Sequence, residues 1–209
     1  MRTFVVPCRY DPIVFECVQA IQEHHPDDRV VVVDSCSPDT TYLNDLREFG
    51  CDVLTGNQGY HPGAYKMVLE AFDSDTWAFI HDSLIVQRNL EDRLDAEFTA
   101  VRWFDGWVPE DQLKFARDQL ARMGQDRLRF TPWRGVFGTI HFCSDRFARW
   151  VEALGFYDLP CRSKVDASAT ERTLGMLCGD AFDTLQGHQT DLHAAYDETY
   201  VVKVMKDRP

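Results

Sequence analysis

Four short apolar segments of this chain run out into residues able to hold a polar or charged ligand. Pro7 and Arg9 follow the first, Asp34 the second, Asn57 in a glycine loop the third, and Asp82 the fourth. Placed side by side, these endings would line one crevice. Arg9 suits a phosphate or a base edge, Asp34 the imide or ribose hydroxyl of a nucleotide, and Asp82 a divalent ion bridging a diphosphate. Asp82 is equally placed to cap the segment after it, and both uses stay open. The glycine loop is not a phosphate-wrapping fingerprint: no Gly-x-Gly-x-x-Gly follows the first segment, and no Gly-Lys-Ser/Thr occurs.

The elements that must carry these residues alternate. Thr3 to Val6 read as a strand, and Asp11-Pro12 supply a cap and first-turn proline for a helix with Val14, Cys17, Val18 and Ile21 at helical spacing. His25-Pro26-Asp27-Asp28 close it, and His24 and His25 read as solvated. Arg29 to Val33 form the strongest strand, ending at Asp34. Tyr42, Leu46 and Phe49 stripe a second helix that stops at Gly50. Cys51 to Thr55 lead into Gly56-Asn57-Gln58-Gly59-Tyr60-His61-Pro62-Gly63, and Ala64, Met67, Val68 and Ala71 continue as a third helix. Asp73-Ser74-Asp75 is turn chemistry before Trp77-Ala78-Phe79-Ile80, a buried strand ending at His81-Asp82-Ser83. Such alternation specifies a mostly parallel sheet with helices on its faces.

The second half is less regular. Leu90, Leu94, Phe98 and Val101 suggest one helix; Leu113, Ala116, Leu120 and Met123 suggest another, stopping at Gly124. Gln125 to Gly135 is a loop with Arg127, Arg129, Trp133 and Arg134. Val136 to Cys143 read as a strand, and Phe147, Trp150, Val151 and Leu154 as a helix closed by Gly155. Ser168-Ala169-Thr170-Glu171 has capping-box spacing ahead of Leu174, Leu177 and Cys178, and Tyr200 to Val204 are strand-like. With neither repeat nor linker, 1–209 read as a single domain.

At 209 residues the chain can bury roughly 70% of its unfolded surface in one core. Its seven cysteines contain no Cys-x-x-Cys pair, which argues against a zinc ribbon or disulfide framework and for reduced thiols in the cytoplasm. No apolar run is long enough for a membrane span. A formal charge of −12 disfavours a generic nucleic-acid-binding module.

Taken together, Val-Val-Val-Asp-Ser-Cys-Ser-Pro-Asp at 31–39, Gly-Asn-Gln-Gly-Tyr-His-Pro-Gly-Ala-Tyr-Lys at 56–66 and Phe-Ile-His-Asp-Ser at 79–83 resemble a GT-A-fold glycosyltransferase of the family 2 kind. The resemblance covers about Thr3 to Leu94. It implies a single-domain, Rossmann-like α/β fold with a nucleotide-sugar-binding half, 1–95, and an acceptor-side half, 96–209. It further implies a UDP- or GDP-sugar donor whose diphosphate is held by Mn²⁺ or Mg²⁺. By position, Pro7, Arg9 and Asp34 would contact the nucleoside, while Asn57, Gly63 and Lys66 would pass over the ribose and phosphates. Asp82 would be the metal-binding acid, flanked by His81 and Ser83 where a second acid is usual. The family's base, at the start of a late helix, is matched by Glu171 or by Asp166, and its late metal-binding histidine by His188 or His193. The acceptor (glycan, small molecule, protein or nucleic acid) would lie by the Gln125 to Gly135 loop, where Trp133 could stack on a sugar.

Each role has a plainer competitor. Glu171 fits a capping box, His188 a surface or core histidine, and the Trp133 loop a segment pinned by a buried indole. Two other functions compete: a non-catalytic nucleotide or sugar reader of the same fold, and an HD-type metal phosphohydrolase suggested by the pair His81-Asp82. Nucleotidyl transfer is weakened by the missing glycine loop after the first strand.

Overall fold

A computed structural model of the chain describes residues 1–9, 12–58, 60–93, 96–104, 110–125, 135–161, 163–179, 183–185 and 200–204, without the side chains of Asp92, Trp103, Phe104 and Asp183. The first half alternates as β1 (Arg2–Cys8), α1 (Ile13–His24), β2 (Arg29–Asp34), α2 (Tyr42–Glu48), β3 (Asp52–Leu54), α3 (Tyr60–Ala71) and β4 (Thr76–Phe79). Then come β5 (Leu84–Val86), β6 (Phe98–Ala100), β7 (Trp103–Phe104), α4 (Glu110–Arg122), β8 (Gly135–Val136), β9 (His141–Ser144), α5 (Asp145–Ala153), α6 (Lys164–Cys178), β10 (Asp183–Thr184) and β11 (Val201–Lys203).

One seven-stranded sheet runs β10-β6-β9-β4-β1-β2-β3, and only β9 opposes the direction of the others. Both faces are covered, which is why the central strands are apolar throughout rather than alternating. Phe4, Val6, Val30, Val32, Ala78 and Ile80 pack toward α1 and α2. Val5, Val31, Val33, Trp77 and Phe79 pack with residues of α3, α5 and α6. Successive residues of a strand thus serve opposite layers. The Ile80 amide donates to the Val5 carbonyl at 3.1 Å. Pro7, two residues on, has no N–H to continue that ladder, so β1 and β4 part there and open a rim.

Gly50, Gly124 and Gly155 have positive φ at the helix ends where the sequence places them. Four expectations are corrected. Leu90 to Val101 form no helix: Glu91–Arg93 make a 3-10 turn and Phe98–Ala100 become β6, which fills the place between β9 and β10. Apolar spacing over so short a run does not separate helix from strand, and sheet pairing decides. The strand expected over Val136 to Cys143 is broken at Phe137–Thr139 by a left-handed turn. The box Ser168-to-Glu171 caps nothing, because α6 begins a turn and a half earlier with Ser163, whose Oγ accepts from the Asp166 amide at 3.1 Å. His25 is not solvated. It is 2% exposed, its ring packs 4.9 Å from that of Phe4, and its Nε2 accepts from the Leu90 amide at 3.2 Å. Burial lowers its pKa, opposed by Asp28. Asp11 lies outside the described residues; Pro12 immediately precedes α1. No helix among the described residues is long and apolar enough to cross a membrane.

Candidate active site

The carboxyl ends of the parallel strands form the rim that the sequence singles out. Three non-glycine residues among those described have left-handed backbone, and all lie there: Cys36 (φ 57) after β2, Tyr60 (φ 53) at the head of α3, and Thr139 (φ 55) before β9. Such conformations cost on the order of 1–3 kcal/mol each and persist where surrounding contacts impose them.

Asp34, at the tip of β2, is 2% exposed. Its carboxylate accepts from the Tyr42 hydroxyl at 2.9 Å, the Ser37 amide at 3.2 Å and the Ser37 hydroxyl. It therefore folds the turn into α2, and any nucleoside contact would use what acceptor capacity remains. Replacing Tyr42 by Phe removes a buried donor to a charged acceptor; we expect a loss of about 2 kcal/mol, read as a lower Tm. Asn57 is 3% exposed and its Nδ2 donates to Ser35 Oγ and to the Tyr60 carbonyl, both at 2.8 Å. A Cβ on Gly63 would stand 2.6 Å from Asn57 Oδ1, so this glycine lets the loop close onto α3. Lys66 pairs with Asp158 and, at 3.7 Å, with Glu70. Pro7 is buried in β1, and Arg9 is exposed just beyond it.

The two residues at the end of β4 separate. Asp82, in step with Ala78 and Ile80, is 6% exposed, and its charge adds to burial in raising the thiol pKa of Cys17 on α1. His81, in step with Trp77 and Phe79, enters a recess on the opposite side, toward α3 and α6. His81 lines that recess and Asp82 does not, which weighs against the two side chains acting together on one metal as a phosphohydrolase pair would. Hard cations take several oxygen ligands, yet among the described residues no three His, Cys, Asp or Glu side chains converge. His188, His193, Arg127, Arg129, Trp133 and Arg134 lie outside the described residues.

The recess is small and is lined by His61, His81, Gly138, Thr139, Thr170 and Glu171 among others. The rings of His61 and His81 stack with centroids 3.9 Å apart. His81 Nε2 lies 2.7 Å from the Gly138 carbonyl, a contact that requires the proton on that nitrogen. Gly138 has φ 63, and a Cβ there would meet His81 Cε1 at 2.7 Å. Backbone conformation and ring approach both demand glycine.

Glu171 stands two turns into α6, freed from the capping role. Burial raises its pKa to about 7, against the lowering effects of Arg172, the Gly138 amide, Lys203 and Lys164. Part of it stays accessible from the recess. A carboxyl poised to titrate near neutral pH on the wall of a recess is equipped to take a proton. Asp166, the other candidate base, sits in the first turn of α6 beside its cap rather than on the recess wall. Sequence reasoning missed His61, Gly138 and Thr139. Gly138 within an apolar run was a signal for a break or a close backbone approach.

The sheet order, its flanking helices and the rim make this a GT-A-type fold. No family model matches the chain, and no curated protein sequence does. Solved structures do. TarS 1–349 from S. aureus superposes with a TM-score of 0.55 at 12% identity, over 97% of this chain and 60% of that one. The same TarS fragment in complex with UDP gives 0.55 at 13% identity, over 96% and 59%. Glucosyl-3-phosphoglycerate synthase from Mycobacterium tuberculosis, in complex with Mn²⁺, UDP-glucose and phosphoglyceric acid, gives 0.52 at 17% identity, over 100% and 72%. At these identities the likeness is one of fold, and the chain spans less than two thirds of the TarS fragment.

Proposed function

We propose that the chain transfers a sugar from a nucleotide-sugar donor to an acceptor hydroxyl with inversion at the anomeric carbon. The observation that carries this reading is the carboxyl of Glu171, held near neutrality in a recess at the carboxyl-end rim of a GT-A-type sheet. The acceptor oxygen forms the new bond to the anomeric carbon while its proton passes to Glu171. The bond from that carbon to the diphosphate breaks, and its electron pair leaves with the nucleoside diphosphate. Displacement in one step from the face opposite the leaving group inverts the centre. UDP in the TarS complex and UDP-glucose in the synthase complex put uridine donors ahead of guanosine ones.

A Mn²⁺ or Mg²⁺ ion enters the reading only through Asp82 and His188. When bound, such an ion neutralises charge on the departing diphosphate. Its remaining ligands would be the donor's phosphate oxygens and residues outside those described, and no step is routed through it. The seven cysteines, none of them in a disulfide, suit a reducing compartment, and we place the protein in the cytoplasm.

The test is a thermal-shift panel of UDP, GDP and their sugars, each with and without Mn²⁺. A donor at a hundred times its Kd adds about 2.7 kcal/mol, which for a chain of this size is a rise in Tm of about 5–10 °C. A flat response to every nucleotide overturns the proposal. Binding without turnover, unchanged by Glu171→Gln, would make the chain a reader instead of an enzyme. A shift that needs Mn²⁺ and is lost in Asp82→Ala would restore the metal site.

A further inference from the structure

The chain carries 34 acidic side chains against 22 basic ones, and Arg2, Arg29, Lys66, Arg146 and Arg149 each pair with a carboxylate. Arg102 and Lys203 are placed differently. Both sit against the ring of Phe137, with the Arg102 guanidinium carbon 5.3 Å and Lys203 Nζ 4.8 Å from its centroid. The two charges thus lie no farther apart than the sum of those distances, about one Debye length in physiological salt, and repel one another. A ring face attracts a cation within about 6 Å, which offsets part of that repulsion and neutralises neither charge. Arg102 meets no carboxylate among the described residues, and its Nε is buried without a hydrogen-bond partner. In Arg93, by contrast, Nε donates to the Tyr200 hydroxyl at 3.2 Å. Arg102, Phe137 and Lys203 are all half-buried, so each keeps a part open to solvent.

The backbone fixes where this cluster stands. Arg102 follows the carboxyl end of β6, and its carbonyl accepts from the Phe137 amide at 3.0 Å. Lys203 pairs with Leu84 across β5 and β11, and the next amide, that of Val204, donates to the Ser83 carbonyl at 2.9 Å. Phe137 adjoins Gly138 on the wall of the recess that Glu171 also lines. Three segments distant in sequence thus bring two cations to the rim beside that recess. In the sheet, β6 lies two strands from β4, on the side away from β1, β2 and β3, which is about 10 Å at ordinary strand spacing. A nucleotide lying over β1 to β4 leaves Arg102 on the acceptor's side.

We infer that Arg102, Phe137 and Lys203 form an anion subsite, and that it holds a phosphate monoester carried by the sugar acceptor. The assignment to the acceptor rests on the proposed glycosyl transfer; the anion subsite does not. A phosphate monoester carries about −1.5 to −2 at neutral pH and so matches two cations, where a carboxylate would leave one positive charge over. The guanidinium fork offers parallel N–H donors to two phosphate oxygens, and the ammonium acts as a point charge. Gripping the acceptor by its phosphate orients its hydroxyl at the recess.

The experiment is nitrogen-15 NMR on the full chain labelled at arginine, following the side-chain Nε signals during titration with inorganic phosphate and, at matched ionic strength, with chloride. The Arg102 signal is identified by its loss in Arg102→Gln, or in Arg102→Lys if the first variant does not fold. It is expected to shift saturably with phosphate and not with chloride. Lys203→Gln raises the phosphate Kd about 10-fold. Arg88→Gln, which removes the same charge from the ring of Tyr200 instead, leaves that Kd unchanged. Lys203→Met, which keeps the aliphatic stem on Phe137, stands in if Lys203→Gln does not fold. A phosphate shift no larger than the chloride shift, or an equal weakening in Arg88→Gln, overturns the subsite. Repeating the titration in saturating UDP separates the two sources of phosphate. An unchanged phosphate Kd supports the acceptor assignment. UDP that itself moves the Arg102 signal and displaces phosphate gives the subsite to the donor's diphosphate and overturns that assignment. Saturable phosphate binding in a chain that binds no nucleotide supports the anion subsite and overturns the glycosyl-transfer reading.

Discussion

Glu171→Gln lowers kcat for sugar transfer by about 10²- to 10⁴-fold, the usual worth of a positioned proton acceptor, while nucleotide binding measured by thermal shift is unchanged. The amide keeps the shape and removes the basicity. Because the carboxyl must be ionised to accept a proton, parent activity climbs as pH rises through about 7, and the variant lacks that limb. The same substitution is expected to stabilise the fold. The pKa of Glu171 is raised on folding, from its ordinary 4.5 to about 7. Below pH 4.5 it is neutral in both states and costs nothing. As pH rises toward 7 the unfolded chain releases the proton that the folded chain retains, and up to about 3 kcal/mol of stability is lost. Gln is exempt from that loss, so Tm at pH 7.5 rises by several degrees as activity falls. A carboxylate there for packing alone would show the first effect on Tm without the second on kcat.

How much of this was legible depended on whether the deciding contacts are local. β1 to β4 and the helices between them follow from apolar runs broken by Gly, Pro and Asp, because both faces of the sheet are covered and each crossover is short. The end of α5 at Gly155 and the stop at Gly124 are local backbone requirements and were read directly. The face that Asp82 takes was not legible. Trp77 and Phe79 serve one layer, Ala78 and Ile80 the other, and all four are buried. Hydropathy therefore cannot say which side holds the recess, and a shift of one residue exchanges His81 for Asp82. The start of α6 was ambiguous for a similar reason. Ser163-to-Asp166 and Ser168-to-Glu171 have the same three-residue spacing, and packing of Ala167 and Thr170 on the recess makes the earlier serine the cap. β6 and the turn at Gly138 depend on partners forty or more residues away, which no window of local sequence contains.

The second large effect is on acid stability, and it is hidden in the parent. His141 is fully buried between the rings of Phe98, Phe79 and Tyr65, with centroids at 5.1, 4.9 and 6.2 Å. Its Nδ1 donates to the Thr139 carbonyl at 2.7 Å. Burial holds its pKa down, from 6.5 to about 4, with the Thr139 contact working the other way. Above pH 6.5 the ring is neutral in both states. As pH falls toward 4 the unfolded chain binds a proton that the folded chain refuses, and about 3 kcal/mol of stability is lost. Over the same window Glu171 works in reverse, since acidification protonates it in the unfolded state and removes its cost, so the two largely offset. His25, also lowered on folding, adds to the acid loss. Urea unfolding of the parent is therefore expected to show a shallow profile from pH 6.5 to 4.5, while Glu171→Gln loses on the order of 3 kcal/mol there. His141→Phe, which fills the aromatic site without a titrating group, should become more stable on acidification from pH 6.5 as the Glu171 contribution is exposed. Equal slopes in the parent and both variants would mean that neither group carries its buried titration in solution.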